Sequence, residues 1–300
     1  MVNIIVFGNC QADALANILK RGLPKSRYKV AFLSNNPRTG GMKGTNKTFS
    51  KIVKSDILIY QPLGEQHGKL SENFIRKAAR PKTDLIAFPY IFNSGMYSLG
   101  HAPMQEKHEY GYVFGEEIIL SLLRKHSINT VLEEYKNARI DFNLMQRFKE
   151  CNDEMGRRES SAEIKITEYI LDNYKNSKLF LTHNHPTTKL LREICFQVKK
   201  LSGLPLSLDW IDSGNENIAN FTQTNTPISP YDINLHGYKF DFHDNWFIKG
   251  KELIQLIAGH RLNEQGASPD RQAEPESRRS LKKIASQFIR NIRKFATGAR

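Results

Sequence analysis

Short apolar runs that end at a turn residue and lead into a helical pattern constrain this chain more than any other feature. Asn3–Phe7 (NIIVF) ends at Gly8, and residues 11–21 then carry Ala, Leu and Ile at helical spacing. Further short apolar runs occur at Tyr28–Leu33, Asp56–Tyr60 and Asp84–Phe88. Because apolar strands that alternate with helices favour parallel pairing, the pattern predicts an α/β fold with a mostly parallel sheet.

The middle of the chain predicts a large helical portion. Apolar side chains recur at three- and four-residue steps in four segments, Gly115–Lys125, Thr130–Asn137, Phe142–Met155 and Ser161–Tyr174. Lys178–Leu181 returns to strand character, and residues 182–186 (THNHP) then lead into an amphipathic helix over 187–201. One more helix is predicted over 249–258.

The positive charge of the chain is concentrated near residue 300. The 300 residues carry 44 Lys+Arg against 31 Asp+Glu, a formal net charge of +13. Residues 271–300 contain nine of the basic residues and two of the acidic ones, so the preceding residues are only mildly basic. A basic pI alone is therefore weak support for nucleic-acid binding, and the sequence shows no recognised binding module. We expect no nucleic-acid partner.

The composition predicts a catalytic domain over 1–262, a flexible linker over 263–279 and a basic helical tail over 280–300. An apolar stripe follows helical spacing within the tail at Leu281, Ile284, Phe288, Ile292 and Phe295. A basic amphipathic helix after a linker is typical of a membrane-surface anchor, so Ser280–Arg300 predicts binding to an anionic membrane surface. The alternative is a helix packed on its own body or on a second subunit.

Cysteine usage indicates the compartment. Three cysteines, Cys10, Cys151 and Cys195, are too few and too scattered for a disulfide framework. We expect a reduced cytoplasmic protein, peripheral at the inner face of the cell membrane if the tail acts as an anchor.

Cys10 is the first candidate for chemistry. It lies between a predicted strand and a predicted helix, at the carboxyl edge of the sheet, where ligands bind in open α/β folds. The N–H groups and the dipole of a helix N-terminus favour a thiolate and any nearby oxyanion. Cys10 is therefore placed where a nucleophile would be useful. The alternative is a buried structural cysteine, which is common. Cys151 and Cys195 lie in helical patterns and are interpreted as structural.

The segment His183-Asn184-His185-Pro186 supplies candidate bases for that thiol. It also lies between a predicted strand and a predicted helix, at the same edge if the strands are parallel. Histidine is the usual base for a thiol nucleophile near neutral pH. The alternative is a simple helix cap with exposed histidines. A His-x-His pair without further Cys, Asp or Glu ligands predicts no metal site.

Four segments of the sequence together resemble one protein family. They are GNCQA after the first strand, DILIYQPL, FPYIFNSG, and SAEIKITEYILDNYKNSKLFLTHNHPT. Over about residues 1–260 the chain is similar to the WcbI family, whose members are described as acetyltransferases of bacterial capsular polysaccharide biosynthesis. The resemblance implies an O-acetyltransferase that moves an acetyl group from acetyl-coenzyme A to a hydroxyl of a capsular or surface polysaccharide or its precursor. It also implies a pocket with a triad and an oxyanion hole, as in esterases.

The resemblance assigns roles to residues of the two most specific motifs. Cys10 would be the nucleophile and His185 the base. Backbone N–H groups of Cys10 and Gln11 would contribute to an oxyanion hole, with Gln61 as a side-chain donor. The other pocket residues are Asn9, His183 and Asn184. SGNH esterases carry an aspartate three residues before their histidine; here that position is Thr182, so the third triad member stays unassigned.

Coenzyme A brings anionic phosphates that need N–H groups or basic side chains. The Gly-rich loop after the second strand offers Arg38, Lys43 and Lys47, unless it is only a solvated surface loop. Tyr90, Asn93 and His101 follow the fourth strand and are expected to line the acceptor pocket. Two other functions stay open: an SGNH-like esterase or thioesterase that uses water as acceptor, and a non-catalytic glycan-binding assembly protein.

Overall fold

The computed structural model describes residues 1–35, 45–101, 113–211, 226–240 and 245–266. Arg38, Lys43 and the predicted tail over 280–300 lie outside these ranges. The chain divides into two units, Met1–Leu256 and Ile257–Arg300. The sheet and the candidate site belong to the first unit.

A four-stranded parallel sheet forms the centre of the first unit. Its strands are β1 (Val2–Gly8), β2 (Tyr28–Ser34), β3 (Ile57–Tyr60) and β4 (Asp84–Ala87), and their order is β2-β1-β3-β4. The pairing aligns the carboxyl ends, since Gly8 pairs with Ser34 and Phe7 with Tyr60. The predicted α/β fold with a mostly parallel sheet and a large helical portion is confirmed.

Both faces of the sheet are covered, which explains why its strands are largely apolar. Ile4 and Val6 lie in one core cluster with side chains of α1 (Cys10–Gly22) and α8 (Thr188–Ser202). Ile5 and Phe7, which point the other way along β1, pack with side chains of α2 (Thr45–Val53) and α3 (Glu72–Ala78). The sheet is the middle layer of a three-layer α/β/α arrangement, and the loops after its strands lie at its carboxyl edge.

The middle of the chain is helical, as predicted. It contains α4 (Glu116–Leu123), α5 (Ile128–Lys136), α6 (Leu144–Glu159) and α7 (Thr167–Asn173), after a short antiparallel pair of β5 (Gly100–His101) and β6 (Val113–Phe114). The prediction of one helix over Ser161–Tyr174 is wrong in its first part. The carboxylate of Glu159 accepts hydrogen bonds from the backbone N–H groups of Ile166 and Thr167, and α7 begins only there.

The strand predicted over Lys178–Leu181 is present as β7 (Phe180–Thr182), but it does not join the parallel sheet. It pairs antiparallel with β8 (His185–Pro186) in a separate two-stranded sheet. Two further helices follow α8, namely α9 (Pro230–His236) and α10 (Trp246–Gly266). The last helix therefore includes residues 263–266, which the sequence assigns to the linker. Within the described ranges, no helix is long and apolar enough to cross a membrane.

Candidate active site

Cys10 lies at the point where the strand order of the sheet reverses. The chain leaves β1 toward β2 on one side, while β3 lies on the other side of β1. In open α/β sheets the loops diverge at such a point and leave a crevice for ligands. Cys10 is the first residue of α1, directly after this strand end, and it is exposed. The position predicted for a nucleophile is therefore accessible.

The turn that carries Cys10 is held by the side chains on either side of it. Asn9 donates its backbone N–H to Oε1 of Gln61 (2.9 Å), and its own Oδ1 accepts the backbone N–H of Gln11 (2.9 Å) as the cap of α1. A Cβ on Gly8 would lie 2.6 Å from Gln61 Oε1, so this turn requires glycine. The residues around Cys10 in GNCQ therefore each have a structural role in this turn.

Gln11 joins this turn to the histidine loop. Its side chain is fully buried, and Nε2 donates to the carbonyl oxygens of Ile91 (2.6 Å) and Asn184 (2.7 Å). Oε1 accepts from Nε2 of Gln61 (3.0 Å) and from the N–H of Ile91 (3.1 Å). The residue after Cys10 is therefore bonded to the residue before His185. This contact brings the two candidates together at one edge, although β7 is not a strand of the parallel sheet.

The structure places the other predicted residues as follows. Gln61 is buried, and its amide is engaged by Asn9 and Gln11, so it is part of the frame of the site. Lys47 is an exposed residue in the first turn of α2. Arg38 and Lys43 lie outside the described residues. The oxyanion and phosphate roles stay predictions.

The electrostatics of Cys10 and His185 favour their neutral forms. Cys10 is exposed as a residue, but partial removal of its sulfur from water raises the pKa of the thiol, by more than the backbone N–H groups of Gln11 and of Cys10 itself lower it. Burial lowers the pKa of His185. At neutral pH the pair is therefore a thiol and an imidazole rather than a thiolate and an imidazolium. An imidazole in this state is a base that can accept the thiol proton when a substrate is bound.

His183 is built into the wall of the site. It is 8% exposed, its ring meets that of Phe92 edge to face with centroids 5.2 Å apart, and its carbonyl oxygen accepts the N–H of Asn93 (2.7 Å). Burial, with smaller contributions from His185 and Arg147, lowers the pKa of His183 to about 3. His183 therefore stays neutral in the folded protein down to about pH 3, which fits a wall residue better than a proton carrier.

This buried histidine predicts a loss of stability in acid. The unfolded chain protonates His183 as the pH falls below 6.5, whereas the folded protein does not do so until about pH 3. The stabilisation is complete above pH 6.5 and lost as the pH falls, so His183 lowers the free energy of unfolding by about 2 kcal/mol between pH 7 and pH 5. Urea unfolding at pH 7 and pH 5 measures this change in the free energy of unfolding, which should be smaller by about this amount in His183→Gln than in the wild type. Equal differences in both proteins would contradict the burial argument.

The loop over residues 94–98 is hydrogen-bonded to the segment that leads to the histidines, because the Tyr97 hydroxyl donates to the Phe180 carbonyl. Three side chains hold the five consecutive backbone carbonyls of residues 94–98: Arg147 of α6 holds those of Ser94, Tyr97 and Ser98, His236 that of Gly95, and Tyr238 that of Met96. The carboxylate of Asp232, fully buried, accepts the N–H of Ser98 (2.6 Å). Burial raises the pKa of Asp232 to about 6.

Sequence reasoning did not find these supporting residues. Arg147 lies on α6, and nothing in its local sequence distinguishes it from an ordinary surface arginine. Asp232 has a partial signal, because Ser229-x-x-Asp232 is a capping-box pattern and forms one at the start of α9. The contact of Asp232 with Ser98 is not visible in that pattern. Within the described ranges, no group of three or more His, Cys, Asp and Glu side chains could hold a metal ion.

Comparisons with known proteins identify the family of this chain. The profile of the family described as polysaccharide biosynthesis enzyme WcbI matches residues 3–207, more than half of the chain. The chain belongs to the WcbI family. One solved structure of WcbI, described as a novel polysaccharide biosynthesis enzyme, is similar over 97% of both chains, with a TM-score of 0.68 and 20% identity. No curated protein sequence matches the chain.

The WcbI match includes the whole sheet and both candidate reactive residues. It begins in β1 and ends after α8, so Cys10, Gln61 and the 183–185 loop all lie inside it. Helices α9 and α10 lie beyond the matched range, and the likeness to the solved WcbI structure shows that its fold also covers them.

Proposed function

We propose that this protein is a coenzyme A-dependent O-acetyltransferase. It would move an acetyl group from acetyl-coenzyme A to a hydroxyl of a bacterial capsular or surface polysaccharide, or of its precursor. The observation that carries the proposal is the bond from Gln11 Nε2 to the carbonyl of Asn184, which brings an exposed thiol and a neutral imidazole to one edge of the sheet. Attack on a thioester requires a thiol and a base that can accept its proton, and this edge of the sheet carries both.

Family membership supports the acceptor class, and the solved relative supports the donor. The matched family consists of polysaccharide biosynthesis enzymes. The solved WcbI structure is described as the native protein without a disulfide bond between coenzyme A and a cysteine of that protein. We carry this association to Cys10 because it is exposed at the crevice where the strand order reverses.

The proposed chemistry follows from the protonation states. His185 accepts the proton of the Cys10 thiol as the sulfur bonds to the acetyl carbonyl carbon. Collapse of the tetrahedral intermediate breaks the bond to the coenzyme A sulfur, which takes a proton from His185. His185 then accepts the proton of the acceptor hydroxyl, whose oxygen attacks the acetyl group on Cys10. The thiol is regenerated with its proton from His185, so the cycle consumes no net proton.

The anionic end of coenzyme A is assigned to the basic loop and the start of α2. Lys47 is exposed there, and β2, which leads into this region, ends at Ser34 beside Gly8. Arg38 and Lys43 complete the proposed phosphate-binding set. Arginine and lysine recognise phosphate through charge-assisted hydrogen bonds.

Release of free coenzyme A from acetyl-coenzyme A tests the proposal. We expect release to be slow with water alone and much faster when the glycan acceptor is present, with acetylated glycan as the product. Equal rates with and without acceptor would indicate a thioesterase instead. Absence of both turnover and coenzyme A binding, measured by calorimetry at millimolar ligand, would favour a non-catalytic glycan-binding protein.

The basic tail is proposed to hold the enzyme at an anionic membrane surface, on the cytoplasmic side. Each Lys or Arg close to such a surface contributes about 1 kcal/mol of binding, and residues 280–300 carry six of them. Removing residues 267–300, which leaves α10 whole, should abolish co-sedimentation with anionic liposomes and leave acetyl transfer unchanged. Equal liposome binding by the truncated protein would assign the anchor elsewhere.

A further inference from the structure

Two hydrogen bonds link the segment that carries Tyr90 to the turn that carries the proposed nucleophile, Cys10. Gln11, the residue after Cys10, donates to the carbonyl of Ile91 (2.6 Å) and accepts the N–H of the same residue (3.1 Å). Ile91 is the residue after Tyr90. Cys10 precedes Gln11 and Tyr90 precedes Ile91, so the two residues are neighbours of one hydrogen-bonded pair. Both Gln11 and Ile91 are buried.

A directed chain of hydrogen bonds ends at the Tyr90 hydroxyl. Thr182 donates its hydroxyl to Oδ1 of Asn184 (3.2 Å), which orients the amide, and Nδ2 of Asn184 then donates to the Tyr90 oxygen (3.3 Å). The amide nitrogen can only donate, so the Tyr90 oxygen is the acceptor in this bond. The hydroxyl hydrogen of Tyr90 must therefore point elsewhere, and no acceptor for it occurs among the residues that the structure describes.

The ring of Tyr90 is held in place. Arg158 donates to the Tyr90 carbonyl oxygen (3.1 Å), and its guanidinium carbon lies 5.3 Å from the centroid of the tyrosine ring. Glu154 in turn accepts a hydrogen bond from Arg158 (2.8 Å). A donor whose side chain and partners are fixed before the reaction needs no reorganisation when charge develops.

The electrostatics keep this hydroxyl protonated. Burial raises the pKa of Tyr90, the bond from Asn184 lowers it by less, and a negative charge on Cys10 raises it further. Tyr90 is thus a hydrogen-bond donor throughout the pH range in which Cys10 would react.

We propose that Tyr90 is a catalytic residue that donates its hydroxyl to the oxyanion formed when Cys10 attacks a thioester carbonyl. This inference rests on the proposed acyl transfer. As the Cys10 sulfur bonds to the carbonyl carbon, the electron pair of the C=O double bond moves to oxygen. That oxygen accepts the Tyr90 hydrogen bond without taking the proton. When the carbonyl forms again, the bond to the coenzyme A sulfur breaks and the leaving thiolate takes its proton from His185.

Tyr90→Phe removes the hydroxyl and leaves the ring against Arg158. We expect kcat for acetyl-coenzyme A to fall roughly 100-fold, as for loss of one oxyanion donor, with KM unchanged within about twofold. The control is Tyr28→Phe, at the opposite end of β2 from Ser34, which should leave both constants unchanged. Turnover by Tyr90→Phe at the rate of the wild type would overturn the proposal.

A second readout separates this proposal from the proposed function. Acetylation of Cys10 by p-nitrophenyl acetate forms an oxyanion, whereas alkylation by iodoacetamide does not; peptide mass spectrometry measures both. In Tyr90→Phe we expect acetylation to slow roughly 100-fold and alkylation to stay within about twofold. If acetylation and alkylation slow equally, or if neither slows, the proposed role of Tyr90 is overturned. Wild-type protein without acetyl-coenzyme A turnover would refute the proposed function alone, because this comparison still decides the role of Tyr90.

If Tyr90→Phe fails to fold, Asn184→Asp provides the same test. An aspartate oxygen in place of Nδ2 would accept the Tyr90 hydrogen and withdraw it from the carbonyl oxygen. Acetylation of Cys10 should again slow far more than alkylation. Unchanged acetylation in a folded Asn184→Asp protein would contradict the proposal.

Discussion

Replacing Cys10 by alanine is expected to lower kcat for acetyl transfer by about 10⁴-fold or more, because the attacking sulfur is lost. His185→Ala should have a comparable effect, since the thiol of Cys10 has a raised pKa and needs a base to lose its proton. The double variant should be no slower than the slower single variant, because the two groups act as a unit. Steady-state release of coenzyme A in the presence of acceptor measures all three.

The matched control for this prediction is Cys151→Ala. Cys151 is half-buried on α6, and its sulfur shares a hydrogen bond with the Ser94 hydroxyl (3.5 Å), so its loss removes that bond but no proposed reactive group. We expect its kcat to equal that of the wild type. Rates like the wild type in both Cys10→Ala and His185→Ala would reject the site assignment.

Gly95→Ala is expected to destabilise the fold by about 3 kcal/mol or more, because the added methyl group overlaps backbone atoms that cannot move aside. A Cβ at Gly95 would lie 2.2 Å from the backbone nitrogen of Phe148 and 2.3 Å from its Cα, inside α6. The loop cannot yield easily either, because its carbonyls are held by Arg147, His236 and Tyr238. Urea unfolding followed by circular dichroism measures the loss.

The same substitution elsewhere on α6 gives the matched control. A Cβ at Gly156 meets no atom within 4 Å, so Gly156→Ala should stabilise the protein by about 0.5–1 kcal/mol through helix propensity alone. If Gly95→Ala lowers the free energy of unfolding and Gly156→Ala raises it, the contact with Phe148 is the cause of the destabilisation. Destabilisation of similar size in both would show that glycine at position 95 serves another purpose.

Local patterns were sufficient for most secondary-structure elements. The apolar run before Gly8 and the helical spacing after it predict β1 and α1, and the structure confirms both. The cap of α3 is local as well, since the Ser71 hydroxyl accepts the N–H of Phe74 (3.4 Å). These features depend on residues within one or two turns of each other, so the sequence carries the whole signal.

Sequence patterns predicted the wrong structure where contacts with residues distant in sequence determine it. The start of α7 was misplaced because Glu159 holds the N–H groups of residues 166 and 167 from outside the helix. The strand over Lys178–Leu181 was expected to end at the same edge as β1, yet it pairs only with β8 among the residues described. The short apolar run gave no information about its partner strand.

The amino-acid sequence by itself determined a parallel α/β sheet, a cysteine at the start of the first helix and a histidine segment after a late strand. Only the tertiary structure decided that these two places meet. The bond from Gln11 to Asn184 spans 173 residues, and no periodicity extends over such a distance. Tyr90 likewise acquired its proposed role from Asn184 and Arg158, because a hydroxyl becomes a directed donor only when its partners are fixed in space.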